Sequence, residues 1–123
     1  MDIEDFPMRA RVVDSGVEDG ITWVTAQAPL WGAVNGYVRI EGPHPWKDAE
    51  ETWEIENTVP FGEITFREGD WFGFDTLHAG QVWPGSPWKY PGDMQMTPEL
   101  VAEWAKQLAR DAASAARADN NNS

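Results

Sequence analysis

Asp75 and His78 stand three residues apart in the stretch Trp71-Phe72-Gly73-Phe74-Asp75-Thr76-Leu77-His78-Ala79-Gly80. A carboxylate beside an imidazole fixes its tautomer and raises its basicity, the arrangement of a general acid–base pair. The same Asp75 ends a strand-like run, where an Asx-turn would have it accept from the Leu77 or His78 amide. Contact with a ligand is the third role open to the pair. No Gly-x-Ser-x-Gly elbow accompanies it, so no nucleophile is assigned. His44 lies between Pro43 and Pro45. Together with Asp75, His78 and Glu63 it would make a nitrogen–oxygen ligand set suited to zinc or manganese. With 2 His, 0 Cys and no recognisable ligand spacing, the expectation is no metal and no cofactor. The plainer reading of His44 has it packing on Trp46 and donating to a backbone carbonyl.

Next to this corner runs Gln81–Asp93, with 3 large aromatics spaced among prolines and glycines. Trp83, Trp88 and Tyr90 can stack on a base, a sugar or a proline-rich peptide. Alternatively the loop lies over the sheet and its aromatics seal the core. Arg39, Arg67 and Lys89 could supply local positive charge to a phosphate. The candidate binding residues are therefore Asp75, His78, Trp83, Trp88, Tyr90 and His44, with no catalytic residue and no metal ligand among them.

These residues need a scaffold. Met8–Asp14, Ile21–Ala28, Gly36–Glu41, Thr52–Glu56, Glu63–Arg67 and Asp70–Thr76 have strand composition or alternation. In the last, Phe72 and Phe74 share one face; Trp71, Gly73 and Asp75 share the other. Ser15–Gly20 reads as a turn, and Gly42–Trp46 as irregular because of its prolines. Thr97-Pro98-Glu99 is a helix start, with an N-cap hydroxyl, Pro at the first position and an acid in the first turn. Leu100, Val101, Trp104, Leu108 and Ala112 then recur at helical spacing, thinning towards Ala118. The fold class is α+β: a mostly antiparallel sheet of five to seven short strands with one C-terminal helix packed on it. Residues 1–118 form a single domain and residues 119–123 a flexible polar tail.

The 123 residues suit one domain, and the 41% hydrophobic fraction suffices for a core. Eight Trp is a high count for this length, and some must lie outside the interior. The net charge of -12 is unevenly spread: Glu41–Asp75 holds 10 acids against Lys47 and Arg67. That argues against direct nucleic-acid binding; a solvated surface that keeps the protein soluble is the plain reading, and a basic partner surface, a metal ion or a ligand held in one local basic spot stay open. There is no apolar run of membrane-spanning length, and the acidic N-terminus is unlike a signal peptide. The expectation is a soluble protein of a reducing cytoplasm.

The chain resembles a group of small proteins encoded by tailed bacteriophages, especially of actinobacterial hosts. The matching residues are Gly36-Tyr37-Val38, His44-Pro45, Gly62-Glu63-Ile64-Thr65-Phe66 and the stretch from Trp71 to Gly80. The resemblance runs from about Gly36 to Trp104, and its specific core is Phe-Asp-x-x-His-Ala-Gly. Two positions depart: the group's His-Gly-Gly is Phe61-Gly62-Glu63, and its Asp after His-Ala-Gly is Gln81. The resemblance implies an accessory protein in the cytoplasm of an infected host. The expected action is anti-defence binding, either blocking a host protein or sequestering a small nucleotide signal. The alternative is a small metal-assisted hydrolase using Asp75, His78 and His44. No membrane partner is expected.

Overall fold

The computed structural model describes Ile3, residues 5–60 and residues 63–121. Its main sheet is antiparallel, with strand order β1-β2-β3-β5-β4. The strands are β1 Val12–Glu18, β2 Ile21–Gln27, β3 Val34–Arg39, β4 Phe66–Glu68 and β5 Trp71–Phe74. A parallel pair, β6 Gln81–Val82 and β7 Met94–Gln95, leads into a single helix, α1 Pro98–Asn121. This is the expected α+β architecture with one C-terminal helix packed on the sheet.

Side-chain alternation divides the sheet into two covered faces. Trp23, Val34, Val38, Phe72 and Phe74 turn to α1, where Val101, Trp104, Leu108 and Ala112 meet them in the main core. Val24, Ala26, Tyr37 and Trp71 turn the other way. There the N-terminal segment lies across the sheet, with Phe6 edge-on to both Tyr37 and Trp71 at 5.0 Å. Trp71 Nε1 ties the segment down by donating to Asp5 O at 2.9 Å. Gly73 is needed where the Tyr37 ring crosses its strand: a Cβ there would come 2.5 Å from the ring. Burial pushes the Tyr37 hydroxyl above its usual pKa; a hydrogen bond with Asn35 opposes this and the Asp75 charge adds to it.

The helix begins as its residues dictate. Thr97 Oγ1 accepts from Leu100 N at 3.1 Å, and Pro98 opens the first turn. The helix continues through Asn121, past the Ala-rich stretch. Propagation adds a bond per residue, and no glycine or proline interrupts it there. Asn122 and Ser123, the end of the expected tail, lie outside the described residues.

Several strand limits differ from those read in the sequence. The first strand lies at Val12–Glu18, not Met8–Asp14, and the turn contracts to Asp19-Gly20. Both turn residues have positive φ, 52° and 81°, the geometry of a two-residue hairpin. Thr52–Glu56 is no strand: Thr52–Glu54 is a single 3-10 turn. Glu54 folds back so that its carboxylate accepts from Glu51 N at 3.1 Å. Five alternating residues cannot distinguish that from a strand. Ile64 and Phe66 do not share a side either; Ile64 joins the helix-facing core and Phe66 the opposite cluster. Pairing becomes regular only from Phe66, and the chain rounds the sheet edge before it. Phe61 and Gly62 of the motif departure lie outside the described residues. A further 3-10 turn, Pro45–Asp48, follows His44 in a segment read as irregular.

Candidate ligand-binding site

The end of β5 makes a corner whose backbone is held from elsewhere. Thr76 N donates to Asn35 Oδ1 at 3.0 Å, and Thr76 Oγ1 donates to Val34 O at 2.7 Å. His78 N donates to Gln81 Oε1 at 3.0 Å, while Gln81 N donates to His78 O at 3.0 Å. Asp75 therefore does not cap these amides as an Asx-turn would. Its Oδ1 instead meets His78 Nε2 at 3.1 Å and accepts from Thr65 Oγ1 at 3.2 Å. The imidazole is aligned by a carboxylate on Nε2, which leaves Nδ1 outside the pair. Asn35→Ala should strand the buried Thr76 amide and cost about 1–3 kcal/mol. Asp75→Ala removes half-exposed contacts with His78 and Thr65 and should cost about 0–1 kcal/mol. Urea unfolding of the two variants checks that order.

The corner divides two clefts. On the Asp75 side, Ile64, Phe74, Trp104 and Leu108 enclose a narrow one with ≈ 10 Å³ open to a water centre, space for one water. On the other side, His78 and Gln81 form a wall of a cleft of ≈ 260 Å³ shared with Trp31, Trp88 and Tyr90. Gln81 belongs to both walls, and its Nε2 is buried without an acceptor among the described residues. A donor in that state is satisfied when a water or ligand oxygen enters.

The arm Gln81–Asp93 is ordered by its punctuation rather than loose. Its base is closed by β6 and β7, with Met94 N donating to Gly80 O and Met96 N to Val82 O, both at 2.7 Å. Two Pro-Gly turns stiffen it. Ser86 N donates to Trp83 O at 2.9 Å across Pro84-Gly85, and Asp93 N to Tyr90 O at 3.1 Å across Pro91-Gly92. Gly92, with φ of 89°, supplies the left-handed residue of the second turn. Gly85 lets the arm press on the Trp31 backbone, since a Cβ there would come 2.8 Å from Trp31 O. Trp31 itself has φ of 56°, and its ring meets Trp88 edge-on at 6.1 Å.

The six candidate residues thus separate. His78, Trp88 and Tyr90 share the cleft, with Asp75 behind His78. Trp88 and Tyr90 are 59% and 62% exposed. Trp83 is not part of the surface: it is 2% exposed, in the main core, with Nε1 donating to Thr76 O at 2.9 Å. His44 is buried elsewhere. Its Nδ1 accepts from Trp46 N at 3.0 Å, so Nε2 donates to Ala112 O at 2.8 Å, and its ring lies edge-on to Trp46. Both nitrogens are occupied: Nδ1 holds the segment's own turn, and Nε2 joins it to α1. Of the bases expected to attract phosphate, Arg39 is paired with Asp5 and Arg67 donates to Ala49 O. Lys89, on the arm, reaches Gln95 Oε1 at 3.4 Å. Among the described residues, no group of three or more His, Asp or Glu is placed to hold a metal ion.

Trp31, Asn35 and Gln81 were not singled out as site residues from sequence. Trp31 carried a signal in its place before Gly32, which suits a left-handed turn; Asn35 is brought to the corner by the β3–β5 pairing, and Gln81 by the local turn that joins it to His78. In comparison with known proteins, no protein-family model, no curated protein and no solved structure matched this chain.

Proposed function

We propose that this protein acts by binding, and that it takes a small planar, nucleotide-like ligand in the cleft between His78 and the Trp88–Tyr90 arm. One observation carries the reading: exposed aromatics, rigid between Pro-Gly turns, surround one ring-sized cleft with an aligned imidazole in its wall. Rings already in place lose little entropy when a base stacks on them. His78 and the Gln81 Nε2 donor would read polar edges of the ring, and Lys89 is the cation nearest in sequence for a phosphate. On the resemblance to phage proteins, the setting would be the cytoplasm of an infected bacterium. The ligand would there be a nucleotide signal withdrawn from the host's defence or physiology. The form in which the same surface blocks a host protein rests on the same aromatics, since Trp and Tyr dominate contact energy.

The test is a titration of tryptophan fluorescence with a panel of linear and cyclic nucleotides. Base–aromatic stacking is worth about 1–3 kcal/mol per base. Trp88→Ala and Tyr90→Ala should therefore each weaken binding by roughly tenfold or more while leaving the circular dichroism unchanged. Wild-type affinity in the folded double variant would sink the proposal. Capture of a host protein, lost in the same variants and without nucleotide binding, would select the protein-blocking form. The hydrolase reading is left with the Asp75–His78 pair but without His44. Turnover of a bound nucleotide, abolished in His78→Ala, would favour it over simple binding.

A further inference from the structure

On the side of α1 carrying Ser114, Ala115 and Ala118, the 3-10 turn Thr52–Glu54 and the segment after it border an open groove of ≈ 840 Å³. We infer that this groove is a second binding site, which receives a basic polypeptide segment of a partner protein. Trp53 stands at its rim, 70% exposed. The residue is not exposed through looseness. Glu51 N donates to Glu54 Oε1 and Ile55 N to Thr52 O, both at 3.1 Å, and Ile55 is buried as an anchor beneath. A large aromatic held out on an ordered turn exposes apolar area that a partner would cover.

The groove's remaining walls define the partner. Ser114, Ala115 and Ala118 are small, so the floor leaves room for incoming side chains. Glu54, Glu56, Asp111 and Asp119 line it, with no Lys, Arg or His among the lining residues. Of the bases on nearby elements, Lys47 is paired with Asp70 and Arg110 with Glu18, and Arg117 of α1 lies outside the lining. Asp111 is engaged by Thr58, whose N and Oγ1 donate to it at 2.7 and 2.8 Å. Glu56 and Asp119 are the exposed carboxylates left to meet a cation. A guanidinium or ammonium over the Trp53 ring, flanked by carboxylates, combines cation–π attraction with charge complementarity. The volume exceeds what one side chain fills, which favours a polypeptide over a free cation, and the charge excludes a nucleic acid.

The experiment is fluorescence anisotropy of a short fluorescein-labelled Arg/Ala peptide with the full chain. Saturable one-to-one binding is expected, weakening as salt rises. Trp53→Ala, and separately the pair Glu56→Lys with Asp119→Lys, should each reduce affinity by about tenfold or more. A control pair outside the groove, Glu41→Lys with Glu68→Lys, should change it by less than about twofold. Absence of saturable binding, or an equal loss in the control pair, would overturn the inference. So would self-association of the wild type that Trp53→Ala abolishes, because the groove would then belong to a second copy. The nucleotide titration should be unaffected by Trp53→Ala, so either site can fail without the other.

Discussion

Trp83→Ala is expected to lower the unfolding free energy by about 3–5 kcal/mol, the usual cost of emptying a buried large aromatic site. The side chain is 2% exposed, packs in the main core and closes the corner by donating to Thr76 O. Its removal leaves a cavity, an unpaired buried carbonyl and a slack base for the arm. Against a typical total of about 5–15 kcal/mol, the variant would sit near the unfolding threshold. Trp88→Ala, five positions along the same arm, should change stability by less than about 1 kcal/mol because its ring is mostly in solvent. Urea denaturation followed by circular dichroism separates them. Equal, small losses in both would contradict the placement of Trp83.

Trp104→Ala should cost a similar amount, about 3–5 kcal/mol. Trp104 joins α1 to the sheet, its ring 6.4 Å from that of Phe74, and it also closes the narrow cleft behind Asp75. The loss should therefore appear in two observables. The unfolding midpoint falls, and hydrogen exchange quickens in β5 and in the first turns of α1 together. Exchange that quickens in the helix alone would mean that Trp104 does not couple the two elements.

The parts legible in the sequence are those fixed by local chemistry. Thr97-Pro98 marks the helix start because hydroxyl capping and the proline ring act within one turn. The stripe from Val101 to Ala112 follows from helical period, and the opposite faces of Phe72 and Trp71 from strand period. The plainer reading of His44 also followed from its prolines, which hold the ring against Trp46. What was not legible depends on distant residues. Trp83 and Trp88 each stand beside a proline, and only the β6–β7 pairing sends one inward and the other out. Asp75 was the natural cap for its own corner, yet Asn35, brought across by the β3–β5 pairing, and Gln81, folded back on His78, take that role. Trp53 and Ile55 alternate like a strand, but one glutamate folding back makes a turn and leaves Trp53 outside.

The central claim is that a planar ligand seats between His78 and the Trp31–Trp88–Tyr90 cluster. The most direct test follows the indole N–H resonances of the 8 tryptophans by two-dimensional NMR while nucleotide is added. Trp31 and Trp88 should shift together, and their shifts should saturate with the fluorescence titration. Trp23, Trp46, Trp53, Trp71, Trp83 and Trp104 should hold their positions. Saturable binding that moves Trp53 and leaves Trp31 and Trp88 unchanged, or no shift of any indole with any nucleotide, would contradict the claim.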